Sequence, residues 1–465
     1  MITGHFRESI LPSDISDYRI ITGAALLSIV SCVSTILLPA IIPKIVMLMF
    51  VVILLYEFRI HILQLIIISV LIPMAFTSVS SETNSVLIAV QVILALMWII
   101  ALLALGHETL ESDRNLTILL AMHVFFAVNV IVSTLYNTSF GLFALRETIR
   151  YVLYAGLLFI SYYFLRNSKI LKKLIYTVIL IAIPLAAYVY YFALGLGLKS
   201  IRNFGLVVMH GFNIGPSNAN TVSNVLTDPL VILLSFMMFG IGKRKKYLGA
   251  ALFIFLFIVW IALNSRSSYL LFTAAYLTLI MFSKRRWKYL LISASCSLLL
   301  LIIIETGVFP ELNFFLRLQS GFTHRNDIWL AAIRMIRESP ILGKGPGFFS
   351  PNKFMYMDPG IGRVATGIFD LSPHHVILER GVDFGIFGMI VQIFIWLFSV
   401  GVFIRNAPKL RQSENYYIYL ASGAIWIGLI FRGMLGTSGN IASITYLAVI
   451  LAMPKAIKSH ISEKR

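Results

Sequence analysis

The chain has 465 residues, 59% of them hydrophobic and only 12% charged, with a mean hydropathy of +0.89. Soluble domains carry about 25% charged residues, so a water-soluble globule is excluded because there is too little charge to cover one. The net charge of +18 lies in short clusters between apolar runs, a placement that fits membrane topology and argues against nucleic acid as a partner.

Cys32 and Cys296 both lie inside apolar runs and build neither a disulfide framework nor a thiolate metal site. Residues 1–19 include Arg7, Glu8, Asp14, Asp17 and Arg19, and no small-residue cleavage site follows. The first apolar run therefore reads as a retained signal anchor. A spanning helix takes about 20 mostly apolar residues. On that rule spans are predicted over 20–38, 40–56, 60–76, 86–105, 116–135, 151–165, 174–198, 221–241, 247–264, 268–282, 289–304, 384–404, 417–435 and 441–453. The fold expected is an all-α polytopic integral membrane protein with 12–14 transmembrane helices. Residues 1–304 would hold about 11 spans, 305–383 an extracytoplasmic domain, and 384–465 the last spans and a tail.

Charge placement tests this count independently. The segments 166–173, 242–246, 283–288, 405–415 and 454–465 hold 19 of the 38 Lys and Arg residues, and they fall on every second loop. Positive loops stay in the cytoplasm. Both termini are therefore expected inside, with 199–220, 265–267 and 305–383 outside. The last of these is unusually long, and its 8 basic residues balance its 8 acidic ones, as in a small folded domain. Within it, His324 to Glu338 reads as a helix stopped by Pro340 and by Gly343, Gly345 and Gly347. Ile328, Trp329, Ala332 and Ile336 form one apolar stripe, and Arg325 falls on the same side.

The usual metal and serine-nucleophile signatures are absent, namely an outer D-x-D pair, H-E-x-x-H and G-x-S-x-G. Gly343-Lys344-Gly345-Pro346-Gly347 lacks phosphate-loop spacing and reads as a turn. What stands out is arginine at the outer face. Arg266 sits in the short hairpin Asn264-Ser265-Arg266-Ser267-Ser268, Arg325 opens the amphipathic helix, Arg202 lies just beyond a span and Arg432 about a turn inside another. Interfacial snorkelling is the alternative for each. A guanidinium is always charged and offers a planar fork of donors suited to diphosphate oxygens, so several at one depth suggest an anionic head group.

Ser372-Pro373-His374-His375 lies about ten residues before the predicted span at 384–404. An imidazole near arginines is held neutral by their charge and is then able to take a proton from a hydroxyl. Asp370, Glu379 and Asp383 are near enough in sequence to orient it. A two-histidine metal site is the competing reading, although adjacent histidines point apart.

At these residues the sequence resembles the O-antigen ligase and O-antigen polymerase family of membrane glycan transferases. The family pattern of His, then Asn, Ser or Gln, nine residues, Gly, two residues, and Gly, Thr or Tyr reads here His374, His375, nine residues, Gly385, Ile386, Phe387, Gly388. The departure is His375 in the amide position. Arg325 to Phe349 is similar to the family's R-x-x-x-W…P-x-x-G-x-G block, and Leu263-Asn264-Ser265-Arg266 to its short Ser-Arg loop. The likeness covers roughly residues 200–440.

The resemblance implies transfer of glycan from an undecaprenyl diphosphate carrier to another carrier-linked repeat or to lipid A core. Arg266 and Arg325 would bind the diphosphate and His374 would serve as base, with Arg202, His375 and Arg432 as secondary candidates. Neither metal nor other cofactor is expected. The apolar stripe of the amphipathic helix would rest on the bilayer beside the carrier tail. The expected location is a bacterial inner membrane with the site facing the periplasm. Expected partners are membrane lipid and, in the envelope, a chain-length regulator or other polysaccharide assembly proteins. Chain length and the imperfect His-Asn motif lean toward a polymerase over a ligase. A repeat-unit flippase or other secondary transporter is the alternative from another class, and a non-catalytic assembly subunit is a third.

Overall fold

The computed structural model describes residues 113–136, 154–195 apart from 160, 164 and 167, 219–305 apart from 264, and 325–358, 373–434 and 441–462. The predicted spans over 20–38, 40–56, 60–76 and 86–105 lie outside the described residues, as does Arg202. No strand occurs among the described residues.

The helices are α1 (Arg114–Tyr136), helical residues within 154–165, α2 (Ser168–Gly195), α3 (Ala219–Phe239), α4 (Lys243–Ala262), α5 (Arg266–Phe282), α6 (Arg286–Glu305), α7 (Arg325–Glu338), α8 (Phe349–Tyr356), α9 (Val376–Asn406), α10 (Tyr416–Gly433) and α11 (Ile441–Ser462). Every predicted span that falls on described residues coincides with one of these. Among the described residues α1, α2, α3, α4 and α9 contain stretches long and apolar enough to cross a membrane. The chain is an all-α polytopic membrane protein.

Internal contacts sort the helix ends into two groups. Lys455 lies 3.9 Å from Asp113, whose carboxylate accepts from Tyr162 at 2.7 Å. Arg166 in turn donates to Tyr162 at 3.2 Å. Lys172 pairs with Glu414 at 3.5 Å. The Phe239 ring meets Tyr416 and Phe282 meets Phe403, which carries the α3–α4 and α5–α6 connections to the same end. All five basic segments therefore gather at one end of the bundle, the arrangement that alternating charge in the sequence demands.

The opposite end is capped by α7 and α8. Asp327 in the first turn of α7 and Arg337 in its last complement the helix dipole, and Pro340 stops the helix. Its buried face is Ile328, Ala331, Ala332 and Met335, packed with Phe349, Met357 and Val382. Burying a side chain such as Ile328, Met335 or Phe349 stabilises by about 1.5–3 kcal/mol. The apolar stripe is thus interior, and the expectation that it rests on lipid is corrected: α7 spends that face on α8 and on the first turns of α9. Residues 376–383, expected in the loop domain, are helical and run into the span expected at 384–404.

Candidate functional site

The site begins where α9 starts and where it breaks. Pro373 is buried, His374 holds a left-handed φ of 49°, and His375 is the extended N-cap of α9. A non-glycine residue at positive φ costs on the order of 1–3 kcal/mol and persists only where its surroundings fix it. Two contacts do so. The Trp329 indole N–H donates to the Pro373 carbonyl at 3.0 Å, and the Trp329 ring lies edge-on to the His375 imidazole with centroids 5.7 Å apart.

His375 Nδ1 accepts a long 3.4 Å bond from the Leu378 amide, so the capping tautomer carries its proton on Nε2. This gives a physical reason for a short polar residue at the second position of the His motif: that position is a helix N-cap, where Asn and Ser are favoured, and an imidazole acceptor does the same work here. Burial holds the His375 imidazole pKa below its ordinary value. The expected cause, arginine charge, is replaced at this residue by desolvation.

Ten residues along, Gly385 interrupts α9 with φ 68° and ψ −162°, which frees carbonyls in the turn before it. The Pro340–Gly347 loop takes them up. The Lys344 amide donates to Val382 O at 2.6 Å, the Gly345 amide to Asp383 O at 3.2 Å, and the Ile386 amide to Pro340 O at 2.8 Å. Ser133 on α1 adds a bond to Asp383 O at 3.0 Å. The approach is too close for side chains: a Cβ on Gly343 would stand 2.5 Å from the Phe384 amide nitrogen, and one on Gly385 would press on the Pro340 and Ile341 carbonyls. The P-x-x-G-x-G block and the Gly of the His motif are two halves of one contact.

The carboxylates expected to orient the histidine are engaged elsewhere. Asp383 lies 3.6 Å from Arg380 NH1 and Glu379 3.9 Å from the same guanidinium, which itself sits against the Phe126 ring. Asp370 lies outside the described residues.

Arg325 is the first residue of α7, one turn or about 6 Å along the axis from Trp329. Its backbone is therefore tied to the histidine turn through that indole. Arg266 is exposed at the start of α5 behind the N-cap Ser265. The Ser268 hydroxyl one turn inside α5 lies 2.7 Å from Asn224 Oδ1 and 3.0 Å from Ser265 Oγ. Helix register sets the height of Arg266. A Cβ on Gly428 of α10 would stand 2.6 Å from Leu271 O of α5, and one on Gly433 would stand 3.1 Å from Val376 of α9. Arg266 and Gly433 are each five residues outward from the first contact, so they share a level, and Gly433 adjoins the residue after His375. The start of α5, the end of α10 and the histidine turn therefore stand at one height.

Sequence reasoning missed Asp228 and Tyr446. The Tyr446 hydroxyl of α11 donates to Asp228 Oδ2 of α3 at 2.9 Å, and Arg432 of α10 is within electrostatic reach of that carboxylate. Asp228 did carry a signal, as a carboxylate inside a predicted span. Tyr446 carried none. Among the described residues no group of three or more His, Cys, Asp or Glu is placed to hold a metal ion.

Residues 250–393 match the model of a protein family described as O-antigen ligase. The match takes in Arg266, Arg325, Trp329, the Pro340–Gly347 loop, the histidine turn and the break at Gly385. No curated protein matches the chain.

Proposed function

We propose, from the match of residues 250–393 to the family described as O-antigen ligase, that the chain transfers glycan from a polyprenyl diphosphate donor to an acceptor hydroxyl at the outer membrane face. Arg266 and Arg325 bind the donor diphosphate. His374, rather than the capping His375, takes the proton of the acceptor hydroxyl as its oxygen attacks the anomeric carbon. The bond from that carbon to the phosphate oxygen breaks, the diphosphate leaves with the electron pair, and configuration inverts. Guanidinium groups fixed beforehand stabilise the charge that develops on the leaving group, so no nucleotide is consumed.

The observation that carries this reading is the Trp329 N–H bond to Pro373 O at 3.0 Å, which ties the helix that begins at Arg325 to the turn that holds His374. Acceptors of both classes, a carrier-linked repeat or a lipid A core, present the hydroxyl this chemistry needs.

The test uses full-length protein in detergent or vesicles with a synthetic polyprenyl-diphosphate oligosaccharide and each acceptor in turn. Arg266→Ala, Arg325→Ala and His374→Ala are expected to lose product by at least a hundredfold, on the scale of losing a general base or a charge-stabilising donor, while remaining in the membrane. Lys at either arginine should restore little, since a point charge lacks the fork. Turnover by His374→Ala equal to that of the unaltered chain refutes the base assignment.

A further inference from the structure

A charged cluster inside the bundle lies outside the family match and outside the catalytic roles assigned above. Asp228 and Arg432 are half-buried, and Tyr446 is buried. An uncompensated guanidinium inside a membrane bundle costs several kcal/mol, and the carboxylate of Asp228 is the group that offsets it.

Helix register sets their relative heights. Through the Ser235 hydroxyl bond to Tyr417 O at 2.7 Å and the Asn224–Ser268 and Leu271–Gly428 contacts, Asp228 stands level with residues 424–427 of α10. Arg432 is five to eight residues farther out, about 7–12 Å at 1.5 Å per residue. Side chains on a helix tilt toward its N-terminus. That direction points Arg432 inward along α10 and Asp228 outward along the antiparallel α3, so the two converge. Tyr446 fixes the carboxylate from α11.

The guanidinium of Arg432 therefore lies about one helical turn nearer the bilayer centre than the start of α5, where Arg266 stands. A polyprenyl diphosphate enters with its hydrocarbon toward the bilayer and its sugar toward water, so its two phosphates differ in depth in the same sense. We propose that Asp228 and Tyr446 are positioning residues that fix Arg432 as the contact for the lipid-side phosphate, one turn below Arg266 on the sugar-side phosphate. This rests on the transferase reading and adds to it a donor polarity: prenyl chain toward the bilayer centre, sugar outward.

Asp228→Asn preserves size and the capacity to accept from Tyr446 while removing the charge that aims Arg432. The experiment measures binding of inorganic pyrophosphate to purified full-length protein, by thermal shift across a concentration series, together with donor KM and kcat. Loss of one charge-assisted contact predicts pyrophosphate binding about tenfold weaker in Arg432→Gln and in Asp228→Asn, with a matching rise in donor KM. In the double variant the losses should not add, because Asp228 acts through Arg432. Combined with Arg266→Lys, Asp228→Asn should lower binding by its full factor. Tyr446→Phe, which keeps the ring and its packing, should show the same pattern with a smaller loss and serves if Asp228→Asn does not fold. Full additivity between Asp228 and Arg432, or unchanged pyrophosphate binding in Arg432→Gln, overturns the inference. Arg266→Ala separates this failure from failure of the transferase reading: if it abolishes transfer while Asp228→Asn is neutral, only the positioning role is lost.

Discussion

Replacement of Gly343 by Ala isolates the contact on which the outer cap depends. Gly343 has φ +70°, and its added Cβ would stand 2.5 Å from Phe384 N and 2.6 Å from Asp383 O. Two costs combine. An alanine held in the left-handed region costs about 1–2 kcal/mol. The methyl also drives the loop off the α9 break, removing the bonds from Lys344 to Val382 and from Gly345 to Asp383, at about 0.5–1.5 kcal/mol each. The sum is about 2–5 kcal/mol. Gly242 supplies the control, because its φ is +92° but the nearest atom to an added Cβ is Lys245 Cδ at 3.9 Å. Gly242→Ala meets a positive-φ backbone cost alone, on the order of 1–3 kcal/mol. Native-state amide hydrogen exchange on the full-length protein reads this directly at Lys344 and Gly345. Gly343→Ala should speed exchange at both by on the order of a hundredfold, at about 1.4 kcal/mol per factor of ten. Gly242→Ala should leave both rates unchanged. Undisturbed protection in Gly343→Ala, or equal loss in the two variants, refutes the docking argument.

Two further outcomes follow from the histidine turn. Burial places the folded pKa of His375 below its unfolded value of about 6.5, so the unfolded chain takes up the proton first as pH falls. The stabilising contribution is full above about 6.5 and declines as pH drops toward the folded pKa, where protonated Nδ1 no longer accepts from Leu378. Melting temperature should fall over that window, His375→Asn should remove this part of the slope while keeping the cap, and an unaltered slope in that variant would count against the capping role. Trp329→Phe keeps the ring beside His375 but deletes the donor to Pro373. Losing that bond costs about 1 kcal/mol and releases the His374 turn, so kcat for glycan transfer should fall several-fold more than donor KM changes. Equal kcat with a raised KM would show that the indole serves donor binding rather than the histidine.

The spans that fall on described residues were legible because each is a long apolar run, most of them bordered at one end by a basic cluster, and the cost of burying unpaired backbone in lipid leaves helices as the only solution for such runs. The gathering of the segments at 166–173, 242–246, 283–288, 405–415 and 454–465 at one end likewise follows from local composition. Long-range contacts were not legible. The run from Val376 to Asn406 contains no proline and reads as loop followed by span, whereas the structure continues the helix outward and breaks it at Gly385. One glycine among the four of that run announces nothing by itself. It acquires meaning only with Pro340, Lys344 and Gly345, about 40 residues earlier, whose carbonyl (Pro340) and amides (Lys344 and Gly345) complete the broken turn.

The same holds for Trp329, which sequence periodicity places on an apolar stripe and the structure turns to Pro373, and for Asp228, whose partner Tyr446 is 218 residues away. Spacing motifs of this chain are therefore shadows of contacts between segments. The interval from Arg325 to Trp329 is one helical turn that reaches the histidine. The interval from His374 to Gly385 is the length of helix between a cap and the break that receives the glycine loop. Because both intervals end on the same small cap of α7, α8 and the first turns of α9, a change in either propagates to the other. Gly343→Ala should accordingly depress glycan transfer even though Gly343 itself meets Asp383 and Phe384 rather than the histidine turn.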